Sequence, residues 1–120
     1  MAMDGIRDQD VVTALRRQMT ISAARQVASA GNLANAETPG YEAVEATFAE
    51  ALASRMGADP AALSIGQQVV QGLTPRRDGN TVQVDRELLA MGRAGGDFAA
   101  AQTALSAKFR LVRYAINEGR

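Results

Sequence analysis

Asn32-Leu33-Ala34-Asn35-Ala36-Glu37-Thr38-Pro39-Gly40-Tyr41 closes a long alanine-rich stretch, and its reading decides how the rest of the chain is divided. A helical pattern runs from about Val11 to Ala36 and then stops abruptly. Pro39 has no amide proton to continue a helix, and Gly40 beside it favours a change of direction. Thr38, which precedes the proline, is pushed toward extended geometry. Asn32 and Asn35 carry amides that can bond the carbonyls a helix end leaves open, or a neighbouring chain. Tyr41 follows the turn and can anchor it. Asn32, Asn35, Thr38, Pro39, Gly40 and Tyr41 therefore read as a joint between segments rather than as a catalytic site.

Working back from the joint, the larger apolar residues fall at Val12, Leu15, Met19 and Val27, with Ala23, Ala30 and Ala34 filling the same stripe. Their spacing averages about 3.67 residues, a rhythm that keeps a helix pair nearly straight or slightly right-handed. Alanine along the stripe lets a partner helix approach closely. An ordinary amphipathic helix within its own domain has the same periodicity.

Forward of the joint, the C-terminal part gives a second helical pattern. Leu88, Met91, Gly95, Phe98, Gln102, Leu105, Phe109, Val112 and Ile116 alternate by three and four, and most are large and apolar, as in an a/d seam. Asp85 is placed as an N-cap, Glu87 near the positive end of the helix dipole, and Lys108, Arg110, Arg113 and Arg120 toward the negative end. Gly95 and Gly96 interrupt the pattern at about 1 kcal/mol each relative to alanine, so either the helix bends there or another backbone passes close by.

The middle reads differently. Thr47 to Met56 has the spacing of a short helix with Phe48 and Leu52 on one face, and Asp59-Pro60 looks like a second helix start. Gly66 to Asn80 has the composition of a mobile loop, in which Arg76-Arg77 reads as a solvated pair. Thr81-Val82-Gln83-Val84 alternates as a very short strand or extended lead-in. The expected fold is all-α with little β. Residues 1–41 form the N-terminal helix and joint, 42–84 a variable, partly disordered middle, and 85–120 a C-terminal helix that pairs with the first as a coiled coil in a single domain.

Composition narrows the function classes. The 120 residues contain no tryptophan, three phenylalanines and two tyrosines, so the hydrophobic fraction of 47% rests largely on small residues. Such a chain forms helices readily but has little with which to stabilise a compact monomer, and packing against other subunits is the more natural use. Thirteen basic and thirteen acidic residues cancel, giving no global electrostatic case for nucleic acid or an anionic membrane. Without cysteine or histidine, thiolate sites, the usual general base and the usual metal ligand are missing. Gly95-Gly96 lacks the lysine and preceding strand of a phosphate loop. No catalytic residue, metal, cofactor or small-molecule substrate is expected. The polar N-terminus, Met1 to Asp10, has no apolar core of a secretory signal, and no stretch is apolar enough to span a bilayer.

The stretch Gln26 to Tyr41 resembles the N-terminal signature of the flagellar axial proteins, the rod, hook and hook–filament junction subunits. Their usual form is an Ala/Ser-rich helix running into Asn-Ile-Ala-Asn, a short polar step and Thr-Pro-Gly-Tyr; here Leu33 stands for the isoleucine and Gly31 precedes the first asparagine. Arg77-Asp78-Gly79-Asn80-Thr81-Val82-Gln83-Val84-Asp85-Arg86-Glu87-Leu88 is similar to the Asp-Gly-Asn-x-Val-x-x-Asp-Arg-Glu segment of the FlgB family of proximal rod proteins. The tail from Leu105 to Ile116 looks like that family's closing helix, Leu-Ser-x-Lys-Phe and then a basic, apolar run to Ala-Ile. The short length fits as well. Gly95-Gly96 departs from the polar residues usual there, and the centre does not match. The sister family FlgC shares the first block but lacks the Asp-Arg-Glu and Lys-Phe features.

The resemblance implies a structural subunit of the flagellar basal-body rod in the periplasm, exported through the flagellum's own type III apparatus without a cleaved signal. Terminal helices of such subunits pair and pack around the export channel, so the implied partners are further copies, other rod subunits and the export-gate or membrane-ring components. The packing set would be Val12, Leu15, Met19 and Val27 against Phe98, Leu105, Phe109, Val112 and Ile116. Two rival readings come from other classes. A soluble coiled-coil adaptor or export chaperone would be a well-folded dimer with no need of the Thr-Pro-Gly-Tyr stop. A carboxylate enzyme would need a paired acidic site, which the scattered Asp and Glu do not supply.

Overall fold

The computed structural model describes residues 8–50 and 63–118. Two helices, α1 (Asp8–Ala34) and α2 (Val84–Glu118), flank a two-stranded antiparallel ribbon of β1 (Val44–Glu50) and β2 (Leu63–Val69). The helices run antiparallel. Lys108 on α2 forms an ion pair with Asp8 at the start of α1, and further along Gly95 faces Gln26. At about 1.5 Å per residue, α2 alone is roughly 50 Å long, which accounts for the elongated 68 × 30 × 21 Å shape. Both helices open with acidic residues in the first turn, Asp8 and Asp10 in α1, Asp85 and Glu87 in α2, where the backbone dipole favours them.

The helix pair is built on small residues. On α2 the buried positions are Glu87, Ala94 and Ala101, seven residues apart, with Met91 and Phe98 half-buried between them and Leu105 half-buried one turn beyond. The seam read from the sequence shares Met91, Phe98 and Leu105. Gly95 is half-buried as well and faces Gln26, whereas Leu88 and Gln102 are exposed beside the buried Glu87 and Ala101, and Phe109, Val112 and Ile116 lie on a stretch exposed throughout. The facing stripe of α1 drifts in the same way. Val12, Leu15 and Met19 are half-buried as a continuous track, but beyond them the buried residues are Ser22, Ala28, Ser29 and Asn32, and Val27 is 66% exposed. Small side chains at the contact let two backbones come closer than a row of leucines permits, and packing favours the face that allows it.

Gly95 and Gly96 do not interrupt α2, which is helical throughout. A Cβ on Gly95 would stand 3.0 Å from the Gln26 side-chain amide, whereas one on Gly96 would meet nothing within 4 Å. The first glycine accommodates a side chain of α1; the second has no such neighbour. Asp85 is not the N-cap of α2, because the helix already begins at Val84 and the Gln83 carbonyl accepts the Glu87 amide at 3.0 Å. Glu87 is 2% exposed and paired with Arg86 at 3.1 Å, so it acts in the packed face and not only at the dipole.

The middle of the chain corrects the helical reading of its first part. Thr47 to Glu50 belongs to β1; residues 51–56 and the Asp59-Pro60 helix start lie outside the described residues. Gly66 to Val69, read as loop, is strand, while Thr81 to Gln83 is irregular and Val84 opens α2. The ribbon pairs Val44 with Val69, Ala46 with Gln67, Phe48 with Ile65 and Glu50 with Leu63, which gathers most of its apolar residues on one face. Over that face the Arg25 guanidinium of α1 lies 5.5 Å from the centre of the Phe48 ring. On the other face Gln68 donates to its cross-strand partner Glu45 at 2.9 Å. Alternation in Val44-Glu45-Ala46-Thr47-Phe48 is short, and the strand it needs for pairing lies far along the chain, so the helical spacing of Phe48 and Leu52 masks it.

Candidate functional site

Among the described residues the densest polar structure lies where α1 ends. Asn35 closes the helix on itself: its amide donates to the carbonyls of Gly31 and Asn32, and its side-chain Nδ2 donates to Gly31 O at 2.9 Å. The Thr38 hydroxyl then donates to Asn35 Oδ1 at 3.1 Å. Pro39 and Gly40 form the centre of a tight turn in which the Tyr41 amide donates to Thr38 O at 3.2 Å. Gly40 has φ +76°, the left-handed value that the third position of a type II turn requires and that glycine adopts without strain.

Asn32 sits under this turn with no exposed surface. Its Nδ2 donates to Val44 O at 2.8 Å, while Oδ1 accepts the Val44 amide at 3.0 Å and the Tyr41 hydroxyl at 3.1 Å. A side-chain amide offers one donor edge and one acceptor edge in a plane, as a peptide group does. Asn32 uses both to mimic a neighbouring strand at the first residue of β1. That places the ribbon against α1 and sets its starting direction.

A second loop locks the turn from the other side. Asn80, also fully buried, donates from Nδ2 to Asn35 O at 2.9 Å and Thr38 O at 2.8 Å, and its Oδ1 accepts the Val82 amide at 2.7 Å. Asp78 Oδ1 accepts the Asn80 amide at 3.0 Å, the self-bonding turn that an aspartate favours. Gly40 donates to Asp78 O at 2.8 Å, Thr81 donates to Tyr41 O at 3.0 Å, and Ala43 donates to Thr81 Oγ1 at 2.8 Å. Arg76 bridges the two layers, with Nη1 donating to Val82 O at 3.0 Å and Nη2 to Ala36 O. Beneath these bonds Ala36, Ala43 and Val82 form a small apolar core, flanked by Tyr41 and Leu73.

The joint expected from Asn32, Asn35, Thr38, Pro39, Gly40 and Tyr41 is thus brought together in one place, with Thr38, Pro39 and Gly40 on its exposed rim. Asn80 and Arg76 belong to it equally and were not among the site residues read from the sequence. Arg76 and Arg77 are both exposed by residue, but the Arg76 guanidinium is held by the carbonyls of Val82 and Ala36 and so is no merely solvated loop group. The signal for Asn80 was the Asp78-Gly79-Asn80 turn, but nothing local to it points back to residues 35–38.

Of the packing set, Met19, Phe98 and Leu105 line one shallow groove with Arg16, Thr20 and Ala23. Phe109, Val112 and Ile116 are 51%, 42% and 62% exposed, and all of residues 109–118 lie on the surface. They continue α2 beyond the Asp8–Lys108 ion pair. A larger cleft between α1, β1 and α2 is lined by Arg25, Arg86 and Arg93 and by Glu45, Glu87 and Asp97, whose formal charges cancel. Among the described residues no group of three acidic side chains is placed to hold a metal, and no helix is long and apolar enough to cross a membrane. Neither the protein-family models nor the curated proteins with which the chain was compared match it.

Proposed function

We propose that the chain is a structural subunit of the proximal flagellar rod, of the FlgB type, which polymerises through its terminal helices into a torque-transmitting shaft around an export channel. The observation that carries this reading is the exposed apolar end of α2. Phe109, Leu111, Val112, Tyr114 and Ile116 leave large side chains in water on a helix whose inner contact with α1 uses mainly small ones. Exposed apolar surface concentrated in this way marks an interaction site. The rigid joint supports the same reading: a shaft subunit must hold a fixed angle between its helix pair and the segment projecting from it, and Asn32 and Asn80 fasten that angle with buried bonds. In this role the chain has no catalytic function. It leaves the cytoplasm through the type III export apparatus, and its partners are further copies, other rod subunits and the export-gate or membrane-ring components.

The test separates folding from assembly. Phe109→Asp combined with Ile116→Asp alters two exposed positions, so the purified chain should keep its helical circular dichroism while cells carrying the change lose motility. Motile cells with both charges in place would overturn the reading. Helicity and mass of the wild-type chain should rise on mixing with rod partners. A cooperatively melting dimer indifferent to them would point instead to an adaptor.

A further inference from the structure

We infer that the outer edge of β2 is a self-association surface, on which β2 of a second copy pairs antiparallel about Gly66 to make a four-stranded sheet. The inference begins from where the strand's hydrogen-bonding groups point. Both backbone polar groups of Val44 are bonded to the Asn32 side chain, so Val44 faces away from β2. The adjoining pair just beyond the strand ends is consistent, since the Val70 amide donates to Ala43 O at 2.9 Å. In an antiparallel ladder the direction alternates, so Val69, the partner of Val44, faces away from β1, as do Gln67, Ile65 and Leu63. The outer edge of β1 abuts α1 through Asn32; among the described residues no strand pairs with the outer edge of β2, and that strand is exposed from Ser64 to Val69. Gln71 Nε2 reaches Val69 O at 3.5 Å, too long to hold that carbonyl.

The edge lacks the devices that normally block edge-to-edge pairing. Leu63-Ser64-Ile65-Gly66-Gln67-Gln68-Val69 contains no charge and no proline, and all of it except Leu63 is exposed. Free edges in soluble proteins are usually protected by lysine, proline or a bulge. A ribbon of two strands is marginal by itself and is stabilised by a helix packed on it, as α1 is here, or by further strands, which the β2 edge could take on.

The sequence of the edge selects a second copy as its occupant. When two β2 strands meet about Gly66, Ile65 stands opposite Gln67 of the other copy and Leu63 opposite Val69. These are the residues whose amides and carbonyls point outward, so each pair exchanges both bonds. Leu63 and Val69 meet as apolar partners, and Ser64 meets Gln68 as a polar pair. Gly66 lies on the two-fold axis as a non-hydrogen-bonded pair, where opposing chains are closest and a missing side chain is best tolerated. The strand carries no charge that would repel its copy. Such a pair is isologous and closed, so it does not propagate. It is a state of the chain apart from the shaft proposed above and does not depend on that proposal.

The chain has no cysteine, which makes disulfide trapping a direct test. Opposed Cα atoms at the two-fold would be about 4.5 Å apart, within disulfide range. A Cβ at Gly66 lies 3.0 Å from Thr47 Oγ1, so the variants are made in a Thr47→Ala background. Gly66→Cys should oxidise to a covalent dimer under mild oxidant. Ser64→Cys, whose two copies would be about 13 Å apart, should not. Adding Gln67→Pro removes an outward amide without touching the bonds to β1, and should abolish the Gly66→Cys crosslink while circular dichroism is unchanged. If that variant loses its fold, Ile65→Lys gives the same test by charge. Equal crosslinking of the two cysteine variants, or crosslinking indifferent to Gln67→Pro and Ile65→Lys, would overturn the inference, as would absence of any Gly66→Cys dimer.

Discussion

Gly40 and Gly79 meet backbone to backbone: a methyl group on Gly79 would stand 3.3 Å from the Gly40 Cα, and both residues have φ in the left-handed region, +76° and +85°. Two turns far apart in the chain are thus stacked with no side chain between them. Gly40→Ala finds open space and should cost about 1–2 kcal/mol, the strain of a left-handed alanine. Gly79→Ala adds a contact with a backbone atom that cannot swing aside, and should cost about 3 kcal/mol when overpacking is included. Urea unfolding of the two variants checks the order; equal losses would mean that the stacked turns yield easily.

Asn32 should be the most sensitive polar residue of the chain. Asn32→Ala strands the Val44 amide, the Val44 carbonyl and the Tyr41 hydroxyl, and should cost about 3 kcal/mol if water reaches part of the gap. Tyr41→Phe removes only the 3.1 Å bond to Oδ1 and should cost about 1 kcal/mol. A small loss from both would show that the joint is held by its apolar core instead.

Ser22 is buried with no exposed surface, and its hydroxyl has no hydrogen-bond partner among the described residues. Ser22→Ala should stabilise the chain by about 1 kcal/mol, by removing an unsatisfied group and improving helix propensity. A lower midpoint in thermal unfolding would show that the hydroxyl has a partner after all.

The glycine pair of α2 should divide. Gly96→Ala enters open space in a helix and should stabilise by about 0.5–1 kcal/mol. Gly95→Ala should stabilise less or not at all, because its methyl meets the Gln26 amide at 3.0 Å; Gln26→Ala in the same chain should restore the gain. Thermal melts of the four variants measure the coupling, and additive effects would remove Gln26 from the account.

The sequence by itself determined the two long helices, the stop between them and the turn at Pro39-Gly40. These depend on local chemistry: helix-forming side chains over many turns, a proline that ends the run and a glycine that supplies the left-handed residue. The tertiary structure alone decided the face on which the helices meet. Large residues such as Leu88 and Phe109 draw the eye to one phase of α2, but both are exposed, and the buried positions of the two helices are mostly small, Ala94 and Ala101 on α2 and Ser22, Ala28 and Ser29 on α1. It also decided what the asparagines bond. Asn32 reaches Val44 and Asn80 reaches Asn35 and Thr38 across separations that no spacing rule encodes, and β1 becomes a strand only because β2 returns to pair with it. Propensity and periodicity are properties of neighbours in the chain, whereas these contacts belong to neighbours in space.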